Sequence, residues 1–205
     1  MKRQALLLMM LAALVLVLGT AGTAAAAAGL DNGSFESEEP PRAKYQGWED
    51  EYIFGWKPFA GSAWKNKEQE HVSVVACPSR EGEKCLRLVG VEDNYVGIRS
   101  IHIPVEKKGF YTVSAKAFVK ELGQPSRCQV WLEFWPADLP AETSTYRIAY
   151  HRANASALDV WQDLTVSAQA PDNAATATVL IIIHRTGNPQ LPAEVYVDDV
   201  HFEAF

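Results

Sequence analysis

Hydrophobic and polar residues alternate along most of the chain beyond residue 70, with the period of two that is typical of β-strands. Stretches typical of turns, such as SREG, ELGQP and APDNA, separate the alternating segments. No segment has a convincing helical period. The pattern therefore predicts an all-β fold, a two-sheet antiparallel β-sandwich or jelly roll. The predicted strands lie within 71–77, 83–90, 96–105, 109–121, 126–136, 145–152, 160–171, 176–185 and 194–205.

The stretch 36–70 does not share this regularity. It is polar and aromatic, and it carries Trp48, Trp56 and Trp64. We expect it to wrap the surface of the sandwich with at most one short strand.

The first 28 residues have the three parts of a secretory signal peptide. Lys2 and Arg3 precede an apolar run, and small residues with Ala26-x-Ala28 as a cleavage point follow. The strongly apolar run has about 15 residues, fewer than the roughly 20 that span a bilayer, so export is favoured over a membrane anchor. We therefore predict a leader at 1–28 and a single domain at 29–205, secreted and extracellular or associated with the cell surface.

Charge excludes some classes of partner. The chain carries 19 Lys and Arg against 25 Asp and Glu, a formal net charge of −6. Removal of the leader also removes Lys2 and Arg3, which makes the balance still more acidic. An acidic chain without a basic run or a cationic amphipathic helix is a poor ligand for nucleic acid or anionic lipid. We expect a monomer that binds no nucleic acid and does not insert into a membrane after the leader is removed.

Three cysteines follow the leader. Cys77 and Cys85 flank PSREGEK, a turn-like stretch between two predicted strands, and an oxidising compartment favours a hairpin disulfide there. Cys128 then has no predicted disulfide partner, and we expect it to be buried. The alternative is a zinc site, but the chain lacks the Cys-x-x-Cys or His-x-x-x-His spacing that such sites use.

The segment QVWLEFWP separates two kinds of side chain. Its aliphatic residues and Phe134 point one way and form the natural core face. The opposite face carries Gln129, Trp131, Glu133 and Trp135. Exposed tryptophans beside polar groups indicate a ligand, and a sugar ring offers both an apolar face and hydroxyls. The alternative is that the stretch 36–70 covers these tryptophans, and the sequence leaves both possibilities open.

Several short motifs occur in a recognisable order. They are GLDNGSFES at the predicted mature start, GW at 55–56, GEKCLRL at 82–88, NYVGIRSIHIPV at 94–105, GFYTVSAKAFVK at 109–120, WQDLTVSAQAP at 161–171 and VYVDDVHFEAF at 195–205. In this order they resemble the carbohydrate-binding modules of the galactose-binding-like jelly-roll superfamily, families four, nine, sixteen and twenty-two above all. The resemblance covers 30–205. It implies a non-catalytic module that binds a polysaccharide or other glycan, with Tyr95 as an aromatic platform.

The resemblance also accounts for the adjacent aspartates in the last predicted strand, Asp198 and Asp199. It implies a structural Ca²⁺ beside the first and last strands, because Ca²⁺ binds clustered carboxylate and carbonyl oxygens. The implied ligands are the side chains of Glu36 and Asp198, with backbone carbonyls near Ser34 and in the turn of Glu83 and Lys84. The alternative is that the aspartates face solvent. Strand alternation places Asp199 on the face opposite Asp198.

Catalytic patterns are weak. The five histidines are scattered, no Ser/His/Asp arrangement is evident, and nothing places a second carboxylate across from Glu133. We therefore predict that the protein is not an enzyme. Three hypotheses remain. The first is a secreted carbohydrate-binding module, the second is a surface interaction or adhesion domain that binds protein or the cell envelope, and the third is a small glycan-active enzyme.

Overall fold

The structure is a computed structural model that describes residues 29–41, 51–59, 71–79, 83–90, 95–123, 126–139, 143–184 and 192–205. The leader predicted at 1–28 lies outside the described residues, as does most of the stretch 36–70. In the ranges that are described, no helix is long and apolar enough to cross a membrane.

Each predicted strand segment contains a β-strand. The strands are β1 (Trp56–Pro58), β2 (Val72–Ala76), β3 (Lys84–Gly90), β4 (Val96–Ser100), β5 (Ile103–Pro104), β6 (Phe110–Leu122), β7 (Arg127–Trp135), β8 (Ala149–Ala155), β9 (Trp161–Gln169), β10 (Thr176–His184) and β11 (Ala193–Ala204). The segment 96–105 divides into β4 and β5. The strand predicted at 145–152 begins and ends a few residues later, as β8.

The strands form two sheets that pack face to face. In the six-stranded sheet the order is β1-β4-β10-β7-β8, with β5 beside β10, and in the five-stranded sheet it is β2-β3-β11-β6-β9. All of these ladders are antiparallel. Alternate residues of both sheets meet in one core, such as Val130 and Leu132 from β7 and Val113 and Val195 from the other sheet. The predicted two-sheet antiparallel β-sandwich is confirmed.

The motifs NGSFE and GW close one end of the sandwich. Trp56 is fully buried, and its ring lies 5.4 Å from that of Phe35. Its indole Nε1 donates a hydrogen bond to the carbonyl of Asn32 at 3.1 Å. Gly33 accepts a hydrogen bond from the Val200 N–H, and a Cβ on Gly33 would lie 1.9 Å from the Val200 carbonyl oxygen. Only glycine permits this approach. NGSFE thus joins the N-terminal turn to β11, and GW joins the same turn to β1.

A β-bulge explains the paired aspartates. Asp198 lies opposite Lys116 and His201 lies opposite Ser114. Between these two pairs β11 therefore has more residues than β6, which is the definition of a β-bulge. Asp199 has a positive φ of 50°, and its N–H donates to Asp198 Oδ1 at 2.7 Å. Asp199 Oδ2 lies 2.9 Å from Lys116 Nζ, on the outer face of the five-stranded sheet. The prediction that Asp199 points to the opposite face is wrong, because the bulge breaks the alternation.

The three cysteines are buried thiols, and the disulfide predicted between Cys77 and Cys85 is not formed. The ladder places Val75 opposite Cys85, while the Cys77 N–H bonds to the carbonyl of Glu83. The two thiols therefore lie on a diagonal of the hairpin. Diagonal neighbours are about 7–8 Å apart, beyond the usual reach of a disulfide. Cys128 is buried as expected, and burial raises the pKa of its thiol to about 12.

Candidate functional site

The residues predicted to bind a ligand lie on the face of the six-stranded sheet that points away from the core, called here the outer face. Their direction is as predicted, because Val130, Leu132 and Phe134 point into the core. Their exposure is not as predicted: Trp131 is 7% exposed, and Gln129, Glu133 and Trp135 are fully buried. Phe59, from the stretch 36–70, packs against the cluster of Trp131, Leu180 and Ile182 on this face. The alternative that this stretch lies on the outer face is therefore supported.

Glu133 is the centre of a buried polar network. Its carboxylate accepts hydrogen bonds from Arg99 Nε at 2.8 Å, Arg147 Nη1 at 2.6 Å and Thr178 Oγ1 at 3.1 Å. Trp135 Nε1 donates to the same threonine hydroxyl at 2.9 Å. The guanidinium of Arg99 also lies 5.1 Å from the centre of the Trp135 ring. Burial is compatible with these charges because they are paired, and the network holds Glu133 and Trp135 inside the protein.

The accessible aromatic surface belongs to Tyr150 on β8. Tyr150 is 44% exposed, and its ring stacks on Trp131 with centroids 4.6 Å apart and planes 17° apart. The guanidinium of Arg147 lies 4.2 Å from the centre of the Tyr150 ring. The guanidinium of Arg152 lies 5.6 Å from the centre of the Trp131 ring. Stacking and cation–π contacts fix the orientation of Tyr150 while its outer surface remains open.

Polar side chains continue along β8 from this stack. Tyr150, Arg152 and Asn154 follow at intervals of two residues, and all three are exposed. Asn154 Oδ1 accepts a hydrogen bond from the buried Gln129 amide at 2.7 Å. The same Gln129 amide accepts one from Trp131 Nε1 at 3.0 Å. Hydrogen bonds from buried side chains thus position this row of Tyr150, Arg152 and Asn154. The row combines an aromatic surface with hydrogen-bond donors and acceptors.

Tyr95 lies at the other end of the outer face. It is 38% exposed, and its ring lies 4.7 Å from that of His184. In the ladder His184 is opposite Arg127, whereas Tyr150 is opposite Glu133. These two β7 positions are six residues apart, so the two ends are separated by about 20 Å along the strand. Tyr95 and Tyr150 therefore lie on one face without touching the same point of a ligand.

Sequence reasoning missed Tyr150, Arg152 and Asn154. The signal was present in TYRIAYHRANA, where residues 150, 152 and 154 repeat with the strand period. The predicted strand stopped at 152, and no face was assigned to it. The inner face of β8 carries only alanines and His151, and the small apolar side chains of alanine give no clear hydrophobic stripe from which to choose the buried side.

The predicted calcium ligands are brought together only in part. Ligand atoms of Cys77, Glu83 and Asp198 lie within 4.8 Å of one another, and Asp198 is 3% exposed. Glu36 is exposed, and its carboxylate accepts a hydrogen bond from the backbone N–H of Lys84. Ser34 is exposed in the N-terminal turn. The carboxylates of Glu83 and Asp198 suit Ca²⁺, but the thiol of Cys77 does not, because Ca²⁺ selects oxygen ligands.

No family model and no curated protein matches the chain. Among solved structures it is similar to the CBM22-2 xylan-binding domain from Paenibacillus barcinonensis Xyn10C, with 14% identity and a TM-score of 0.51 over 75% of this chain and 93% of that one. It is also similar to a Family 16 Carbohydrate Binding Module-2, with 16% identity and a TM-score of 0.48 over 64% of this chain and 84% of that one.

A third similar structure is the enzymatically active domain of bacteriophage CBA120 tailspike protein 4, with 9% identity and a TM-score of 0.52. The match covers 74% of this chain but only 19% of the tailspike domain. At such identities the likeness shows the fold. The predicted resemblance to jelly-roll carbohydrate-binding modules is confirmed at that level.

Proposed function

We propose that the protein is a secreted, non-catalytic module that binds a polysaccharide on the outer face of the six-stranded sheet. The observation that carries this proposal is the exposed ring of Tyr150, which stacks on Trp131 beside Arg152 and Asn154. The shared fold with a xylan-binding domain supports the class of ligand. Tyr95 and His184 extend the face in the direction that a longer chain of sugars would follow.

Binding of a sugar ring at Tyr150 follows from ordinary physical chemistry. The C–H face of the sugar covers the open side of the phenol ring, which removes apolar area from water at roughly 25 cal/mol per Å². Trp131 and Arg147 already hold the phenol ring in place, so little side-chain entropy is lost on binding. The exposed polar groups of Arg152 and Asn154 lie along the same strand and offer hydrogen bonds to hydroxyls.

The buried carboxylate favours binding over hydrolysis. Glu133 lies opposite Tyr150 in the ladder, but it is fully buried and bonded to Arg99, Arg147 and Thr178. Glycoside hydrolysis needs an acid that reaches the scissile oxygen. The network that holds Glu133 is therefore consistent with a module that binds sugar without cutting it.

Replacing Tyr150 with alanine is expected to weaken binding to a soluble β-linked polysaccharide tenfold or more, a loss of about 1–3 kcal/mol. The fold should survive, because the side chain is nearly half exposed. Isothermal titration calorimetry and thermal melting measure the two effects. Trp131→Ala is less informative than the sequence suggests, because Trp131 is 7% exposed and its loss also removes packing.

The matched control is Tyr146→Ala. Tyr146 is 43% exposed and precedes β8, but it has no aromatic contact in the described part of the structure. The Tyr146→Ala variant should bind the polysaccharide with the affinity of the parent protein. Equal binding by Tyr150→Ala and the parent protein would place the ligand elsewhere. If the parent protein binds no polysaccharide but binds isolated cell envelope or an envelope protein, the second hypothesis, an adhesion domain, replaces the first.

We also propose that a divalent cation, Ca²⁺ by the resemblance, binds at Asp198 and Glu83. Two neighbouring carboxylates, one of them buried, favour a cation between them. A bound ion stabilises the folded state by mass action, so a chelator should lower the melting temperature and added Ca²⁺ should restore it.

Asp198→Asn should abolish the change in melting temperature caused by chelator and Ca²⁺. Asp199→Asn should retain it, because that variant affects the ion pair with Lys116 instead. Zn²⁺ is tested in parallel because the Cys77 thiol suits it. A melting temperature that does not respond to chelator would contradict the proposal.

A further inference from the structure

Positive charge is concentrated on the outer face of a chain that is acidic as a whole. The formal net charge is −6. Yet Arg127, Arg147 and Arg152 all lie on or beside this face. Arg147 and Arg152 are at the stack of Tyr150 and Trp131, and Arg127 lies toward the opposite end beside His184. Clustered charges of one sign raise the local concentration of ligands of the opposite sign. A ligand inferred from these charges rests on the polysaccharide binding proposed above.

The arginines of the described residues divide into two groups. Arg87 pairs with Glu194, and Arg99 and Arg147 both pair with Glu133. Arg127 and Arg152 are exposed, and within the described ranges no carboxylate forms an ion pair with either. Both are on the outer face, one beside His184 and the other over Trp131. The two guanidinium groups without an acidic partner thus lie on one side of Tyr150 along the outer face, Arg152 next to it and Arg127 farther away.

The two charges also act on a common neighbour. The pKa of His184 is lowered, first by burial and then by repulsion from Arg152 and Arg127. Because both arginines affect one imidazole, their fields overlap on the outer face. A negatively charged ligand at this place would relieve the mutual repulsion of the cations.

The spacing favours a repeating ligand over a single anion. Arg152 lies opposite Trp131, and Arg127 precedes Trp131 by four residues on the neighbouring strand. Four residues of a β-strand span about 13 Å, so the two side chains start from well-separated points. Arginines whose backbone positions are this far apart can reach acidic groups on different units of one polymer, and the exposed ring of Tyr150 lies at the end of the same row.

We propose that the polysaccharide bound here is anionic, with Arg127 and Arg152 binding its carboxylate or sulfate groups while Tyr150 stacks on a sugar ring. A planar guanidinium donates two parallel hydrogen bonds to a carboxylate or a sulfate, which gives direction as well as charge. Asn154, between the two arginines along the outer face, adds contacts with uncharged hydroxyls.

The experiment compares polygalacturonate, dextran sulfate and an uncharged β-1,4-galactan, each at low and high salt. Parent protein should bind at least one anionic polymer more tightly than the galactan, and the preference should decrease with salt. Arg152→Gln and Arg127→Gln should each weaken anionic binding about tenfold. Arg127→Gln should leave galactan binding unchanged, whereas Arg152→Gln should weaken it by a smaller factor, because only hydrogen bonds to hydroxyls are lost there. The two anionic polymers show whether the acid group is a carboxylate or a sulfate.

The charge control is Lys107→Gln, which removes an exposed cation from the turn between β5 and β6. If it weakens anionic binding as much as the arginine variants do, the attraction is unspecific and the inference fails. If galactan binds as tightly as the charged polymers and the arginine variants bind normally, the inference fails while polysaccharide binding stands. If no polymer binds, or if Tyr150→Ala changes nothing, the proposed function itself fails.

Discussion

Glu133→Ala is expected to lower the free energy of unfolding by about 3–5 kcal/mol, because it leaves a buried positive charge without its carboxylate. Arg99 is 1% exposed, and its Nε and Nη2 both donate to Glu133, at 2.8 and 3.3 Å. The variant also removes the acceptor for Arg147 and Thr178. Chemical denaturation, with the midpoint and slope compared with the parent protein, measures the loss.

The matched control for this prediction is Glu203→Ala. Glu203 is an exposed carboxylate on β11, and its loss should change stability by less than about 0.5 kcal/mol. A double variant, Arg99→Met with Glu133→Leu, removes the charged pair together and should recover part of the loss. Equal stability of Glu133→Ala and Glu203→Ala would show that the network contributes nothing.

Trp56→Ala should destabilise the protein by about 3–5 kcal/mol, the range for truncating a buried aromatic residue to alanine. The side chain is fully buried, packs on Phe35 and donates a hydrogen bond to the Asn32 carbonyl. Removing it leaves a cavity where the N-terminal turn meets β1. Thermal and urea unfolding both report the change.

Trp56→Phe separates the two contributions of this residue. It keeps an aromatic ring against Phe35 but removes the indole N–H, so the expected cost is well below that of alanine. A Trp56→Ala variant that melts with the parent protein would show that the GW motif has no structural role. It would also contradict the role of Trp56 in joining the N-terminal turn to β1.

The sequence was sufficient to predict most of the strands, because runs of residues that favour strands are separated by residues typical of turns. The alternation of QVWLEFWP correctly separated Val130, Leu132 and Phe134 from Trp131 and Trp135. Alternation does not predict whether other parts of the chain cover the outward side chains of a sheet. The burial of Trp131 and Trp135 depends on residues distant in the chain, such as Phe59 and Arg99, and no local pattern contains that contact.

Two other errors have local causes that the sequence hides. Asp199 lies on the same side as Asp198 because a bulge interrupts the ladder, and a bulge leaves only a weak trace in a single sequence. The disulfide between Cys77 and Cys85 was predicted from the turn-like stretch that they flank and from an oxidising compartment, but the register places the two thiols on a diagonal. Register depends on the pairing of both strands, so residue spacing alone does not determine it.

The position of β8 has a consequence for solubility. In the described part of the chain β8 ends the six-stranded sheet, so one of its sides is not paired with another strand there. An open side can accept a strand from a second molecule, and charged side chains on it oppose such self-association. Arg152 supplies that charge in the middle of β8, between His151 and Ala153. We therefore expect the residue proposed to bind the ligand to oppose self-association as well, and variants made to change affinity at Arg152 should be checked for aggregation.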